Sequence, residues 1–83
     1  MNKLLIEVYL PAAGRSFDVS IPSALPLYEV TALVSKALSE LSEGLFVANA
    51  STVLCDRQTG EILDAHMTAA EAGLYNGAGF MLI

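Results

Sequence analysis

The chain has 83 residues, 54% of them hydrophobic, and a formal net charge of −5 from nine acidic and four basic side chains. That length fits a single domain, residues 1–83, with one core, and the apolar content leaves hydrophobic residues over for the surface. No apolar run reaches the roughly 18 residues that a membrane helix needs. The segment Met1–Glu7 is interrupted by Glu7 too early for a signal peptide, so a cytoplasmic protein is expected. Lys3, Arg15, Lys36 and Arg57 are scattered, whereas a phosphate backbone requires clustered cations; no nucleic-acid partner is expected. Cys55 is the single cysteine, which excludes an internal disulfide.

In chain order, Leu4–Leu10 alternates, with Leu4, Ile6, Val8 and Leu10 on one face and Leu5, Glu7 and Tyr9 on the other. Pro11–Gly14 reads as a turn, and Arg15–Ile21 as a second strand with Phe17, Val19 and Ile21 inward. Pro26 suits a helix start. Leu27, Val30, Val34, Ala37, Leu38 and Leu41 then recur at helical spacing up to Gly44, a helix of roughly four to five turns at about 3.6 residues each. Residues 44–51 read as a loop that tucks Leu45 and Val47 against the helix end. Thr52–Asp56 reads as a short strand with Leu54 outward and Cys55 toward the core. Arg57–Gly60 is a turn, and Glu61–Asp64 a short return strand. Thr68 and Glu71 match a capping box and predict a short helix, with Ala72 and Leu74 facing the core. Asn76-Gly77 is a turn. The last strand points Phe80 and Leu82 inward, and Met81 and Ile83 outward.

The order is ββαββ(short helix)β. It predicts an α+β, β-grasp architecture: a mixed sheet of four to five strands packed on one long helix, with the last strand beside and parallel to the first.

These residues resemble the ubiquitin superfamily over essentially the whole chain. More narrowly, they are similar to the YukD-like group of small bacterial ubiquitin-fold proteins, associated with type VII-like secretion systems that export helical WxG-motif proteins. The likeness is carried by Leu4–Leu10, by the Asp56-x-x-Thr59-Gly60 turn with Leu63 after it, by Thr68-x-x-Glu71-x-Gly73-Leu74-x-Asn76-Gly77, and by the short ending at Ile83. The resemblance implies an accessory or regulatory protein-interaction module. Its partner would be a protein, such as a cytoplasmic part of a secretion machinery. Conjugation and sulfur transfer need a flexible tail ending in Gly-Gly. The sequence stops at Ile83 without one, so a modifier or sulfur carrier is the disfavoured alternative. A ubiquitin-like binding domain without a secretion link, including a toxin-like or phage-encoded one, is a further alternative.

No catalytic constellation emerges, and a non-enzyme with no cofactor and no metal is expected. His66, the one histidine, has Asp64 two residues away but no further ligand or acid–base partner nearby in sequence. Cys55 reads as a small buried hydrophobe. Asp56, Glu61 and Asp64 lack the spacing of a calcium loop and read as a solvated acidic rim. Gly73, Gly77 and Gly79 precede no helix, so no phosphate-binding loop is formed. The candidate site is apolar. Leu5, Leu54, Met81 and Ile83 are expected on the sheet face away from the helix, as one partner-binding patch bordered by Glu7, Tyr9 and Thr52. A homodimer through that face is compatible with the same pattern. A slip of one residue in strand phase would exchange the faces.

Overall fold

The computed structural model describes residues 3–49 and 51–83; Met1 and Asn2, at the head of the N-terminal segment, and Ala50, in the 44–51 loop, lie outside the described residues. Two alternating segments form an antiparallel hairpin, β1 (Lys3–Leu10) and β2 (Arg15–Pro22), in register from Leu10 opposite Arg15 to Lys3 opposite Pro22. The turn closes with the Ala13 and Gly14 amides both donating to the Leu10 carbonyl, at 3.0 and 2.9 Å. Gly14 takes φ +65°, a left-handed conformation open to glycine without a steric penalty.

Helix α1 (Leu27–Leu41) begins after Pro26 with no side-chain cap. Its first free amides are capped from far along the chain instead: Leu27 donates to the Met67 carbonyl at 2.8 Å and Tyr28 to the Ala65 carbonyl at 3.0 Å. Leu27, Val30, Val34 and Leu38 form the buried stripe, and each such side chain contributes about 1.5–3 kcal/mol. Leu41 departs from the expected stripe and is 54% exposed. It is the last residue of the helix, one turn beyond the buried Leu38. The helix end is closed by Phe46, which is buried, whereas Leu45 and Val47, expected to tuck in, are exposed. The reason is local: the Phe46 amide donates to the buried Ser42 hydroxyl at 3.1 Å, which turns the chain so that residue 46 faces the core.

The sheet has four strands in the order β2-β1-β4-β3, with β3 spanning Leu54–Asp56 and β4 spanning Gly79–Leu82. β4 lies parallel to β1 and antiparallel to β3, so the final strand sits inside the sheet as expected. Backbone pairing continues one step beyond the strand ends, where Val53 and Ile83 exchange bonds of 2.8 and 3.1 Å. The β-grasp order is therefore as read from the sequence, with two elements shortened. The return strand is reduced to a single bridge between Cys55 and Ile62. The short helix is one turn: the Ala72 amide reaches the Thr68 carbonyl at 2.9 Å, and Gly73 at φ +78° ends it there. The capping-box bonds do form, Thr68 N–H to Glu71 Oε1 at 2.9 Å and Glu71 N–H to Thr68 Oγ1 at 3.1 Å. A stop this close leaves too few residues for a helix to propagate.

A further placement, in β3, overturns the sequence reading. The register sets Leu54 opposite Leu82, and Leu82 faces the helix. Leu54 therefore points into the core at 3% exposure, and the outward face goes to Cys55. Truncating Leu54 to alanine should lower the unfolding free energy by about 2–5 kcal/mol, read from urea denaturation. Leu54→Asp should leave no cooperative transition, because it buries a carboxylate without a partner. A Leu54→Asp protein that melted like the parent would refute this register.

Candidate functional site

The outer sheet face, opposite α1, is assembled from register. Partners across adjacent strands point to the same side. Ser16 lies opposite Tyr9, Tyr9 beside Met81, Met81 opposite Cys55, and Cys55 opposite Ile62. These residues make one row across all four strands and the return segment. Val53 and Ile83 pair one step further on and extend the apolar part of that row. Ile62 and Ile83 are exposed, and Tyr9, Val53 and Met81 are half-buried.

Of the four residues expected to form the patch, the structure brings Met81 and Ile83 together. Leu54 lies on the opposite face, in the core. Leu5 is outward and 52% exposed, but it stands at the far end of β1, where its carbonyl accepts the Gly77 amide at 2.8 Å. Glu7 sits beside Gly79, between the Leu5 and Tyr9 positions. The Leu5 surface is thus separated from Met81 by a polar step. Thr52, two residues before the inward Leu54, has the parity of the helix side and does not border the patch; it lines a cleft with Tyr28 and Thr31 of the helix, which Val53 and Ile62 also edge. Val53 and Ile62 were missed in the sequence. Val53 occupies the parity assigned to the core, and Ile62 joins the face through one bridge, which no alternation announces.

The polar step is organised around Arg57. Its Nη1 donates to Glu7 Oε1 and to Ser16 Oγ, both at 3.2 Å, and its guanidinium lies 4.5 Å from the centroid of the Tyr9 ring. The ion pair is half-exposed and contributes at most about 1 kcal/mol. It positions more than it stabilises: side chains of β1, β2 and the 57–60 turn are held in one arrangement beside the apolar row.

The remaining candidates have structural employment. Asp56 Oδ1 accepts the Gln58 and Thr59 amides, at 2.8 and 3.1 Å, and Asp64 Oδ1 accepts the His66 amide at 2.9 Å. These carboxylates close turns and are more than a solvated rim. The His66 ring meets Tyr28 edge-on, with centroids 6.3 Å apart. Among the described residues, no three His, Cys, Asp or Glu side chains converge as a metal site would require. Cys55 is buried, though on the outer face between Met81 and Ile62 and outside the main core cluster. Burial pushes its thiol above the ordinary value near 9.0.

The sequence model for the YukD protein of the WXG100 protein secretion system (Wss) matches residues 5–82. No curated protein matches the sequence. Among solved structures, the ubiquitin-like domain of the type VII secretion protein EccD1 from Mycobacterium tuberculosis superposes with TM-score 0.80 at 17% identity, covering 100% of this chain and 99% of that one. The EccD5 ubiquitin-like domain from Mycobacterium xenopi gives 0.83 at 18%, covering 100% and 94%. A chain of the MycP5-free ESX-5 inner membrane complex gives 0.83 at 18%, covering 100% of this chain and 21% of that one.

The buried thiol yields a test of the outer face. A folded pKa above the unfolded one means that the native state holds the proton more tightly. Cys55 therefore contributes stability below the unfolded thiol pKa, and that contribution is lost as pH rises through the folded pKa. The urea midpoint should fall on raising pH past the ordinary thiol value near 9.0. Cys55→Ala should show a shallower slope. Native protein should also react with a thiol reagent only at its opening rate. Rapid labelling of the folded state would contradict this placement of Cys55.

Proposed function

The chain belongs to the YukD family of the WXG100 protein secretion system, and we propose that it serves such a system as a non-catalytic adaptor, docking through its outer sheet face on a protein component of the machinery. The observation that carries this reading is the apolar row at Tyr9, Met81, Val53, Ile62 and Ile83, on the side of the sheet opposite α1, which no other helix covers among the described residues. Half-exposed aliphatic and Met side chains of this kind lose unfavourable hydration on contact and adapt to an opposing surface.

Arg57 adds orientation. It holds a cation, a carboxylate at Glu7 and an aromatic ring at Tyr9 on one rim of the row. Such a rim contributes register and selectivity rather than bulk affinity. The ESX-5 inner membrane complex contains a domain of this fold within a much longer chain, which fits a partner that is itself part of a membrane-anchored assembly. Among the described residues, no helix is long and apolar enough to cross a membrane. The adaptor works in the cytoplasm and meets the machinery there. Leu5 forms a second, smaller contact at the far end of the face.

The test replaces exposed residues of the row, so that the fold survives. An Ile62→Asp, Ile83→Asp double variant should keep the parent melting transition. It should lose affinity for the machinery component by roughly 30-fold or more, the size of a hot-spot loss of about 2 kcal/mol. In cells lacking the gene, the parent should restore export of the WXG100 substrate and the double variant should not. Full export and unchanged capture of the component by the variant would overturn the reading.

A further inference from the structure

The two edges of the sheet are built differently. The β3 edge is 3 residues long, and the return segment lies against it: the Cys55–Ile62 bridge is joined by the Leu63 amide donating to the Leu54 carbonyl at 3.1 Å. The β2 edge runs for 8 residues, and among the described residues no further strand pairs with it.

The direction of the free backbone groups on β2 follows from register. On β1, Leu5 accepts the Gly77 amide and Glu7 donates to the Ala78 carbonyl, so both turn their backbone groups toward the β4 side. Neighbouring residues in a strand turn theirs the opposite way. Leu4, Ile6, Val8 and Leu10 therefore face β2, where Ile21, Val19, Phe17 and Arg15 are their partners. The N–H and C=O groups of Ser16, Asp18 and Ser20 consequently point off the sheet. Pro22 falls in the same outward set, at a place where no N–H is needed.

Beside this edge α1 presents an apolar flank. Leu33, Ala37 and Leu41 recur at i, i+4 and i+8, with Leu33 53% and Leu41 54% exposed. A shallow cleft of about 70 Å³, lined by Val19, Ile21, Leu33 and Ala37, runs between the helix and the strand. A strand added to β2 would place every second side chain over this flank.

We infer that the β2 edge and the Leu33–Leu41 flank bind an extended, basic segment of a partner protein, apolar at alternate positions, as a fifth strand of the sheet. Charge selects this occupant. The exposed charged groups on β2 and on α1 with its C-terminal turn are Asp18, Glu29, Glu40 and Glu43 against Arg15 and Lys36, on a chain of net charge −5. A second copy would bring the same excess, and pairing centred on the strand's middle would set Asp18 opposite Asp18. This edge meets the outer-face row only at Ser16, which gives its side chain to the row and its backbone to the edge, and Ser20 and Leu33 belong to the edge surface alone, so either surface can fail without the other.

The probe is a blocked, fluorescent peptide of alternating valine and lysine, equal in length to the 8 residues of β2, with an alternating valine and glutamate peptide as comparison. The lysine peptide should bind, and amide exchange at Ser16, Asp18 and Ser20 should slow on binding. Ser20→Pro removes an outward N–H without breaking an internal bond. Leu33→Gln removes apolar contact at an exposed helical site. Each should weaken binding by roughly tenfold or more while keeping the parent circular dichroism and melting transition. The inference is overturned if the lysine peptide does not bind, if the glutamate peptide binds as well, if folded Ser20→Pro binds unchanged, or if sedimentation shows that the edge is occupied by a second copy.

Discussion

The structure depends on how the end of the chain enters the sheet. β4 pairs on both sides, parallel with β1 and antiparallel with β3. The entry is fastened at residues 76–78, where Asn76 Oδ1 accepts the Leu5 amide at 2.9 Å, Gly77 donates to the Leu5 carbonyl at 2.8 Å and Ala78 accepts the Glu7 amide at 2.9 Å. A shift of one residue there would exchange the faces of β4 and, through it, of β3. The same strand joins β1 to β3 across a long separation in sequence, so the sheet closes only once residues 79–82 are in place. Such distant pairing slows folding relative to local structure.

From that strand the two faces divide. On one side, Phe80 and Leu82 join Ile6, Val8 and Leu54 beneath α1. On the other, Met81 gathers Tyr9, Cys55 and Ile62 into a single row, extended by Val53 and Ile83. The alternation that builds the core therefore also sets out the interaction surface, and neither can be moved without the other. The free edge of β2 is a third consequence: with β4 on one side of β1, the hairpin's second strand is left at the margin of the sheet.

Between β3 and β4 the chain is held by turns. Asp56 closes the 57–60 turn through two amides, Asp64 closes the next, and the Thr68–Glu71 pair closes a third. Segment 65–67 then supplies carbonyls to the first amides of α1, which explains how that helix starts without a side-chain cap. Polar side chains here satisfy backbone groups and hold connectors in place. That role accounts for Asp56 and Asp64, two of the acidic residues that stood out in the sequence.

The sequence by itself determined β1, β2 and α1. In each, an alternation or a 3.6-residue stripe is long enough to mark one face, as Ile6 and Val8 against Glu7 or Val30, Val34 and Leu38 against Glu29 and Lys36 illustrate. It also determined the inward Phe80 and Leu82, and the turns at Gly14 and Gly77. Only the tertiary structure decided the rest. β3 has 3 residues and no alternation to read, so the choice between Leu54 and Cys55 for the core was made by the partner strand. Past the helix end Phe46 is buried in place of the expected Leu45 and Val47, because its amide bond to the Ser42 hydroxyl turns residue 46 toward the core, a contact that no periodicity announces. Periodicity tells which residues within one element share a side. Which side that is, and which residues of neighbouring strands stand next to one another, is set by hydrogen-bond register between segments far apart in the chain.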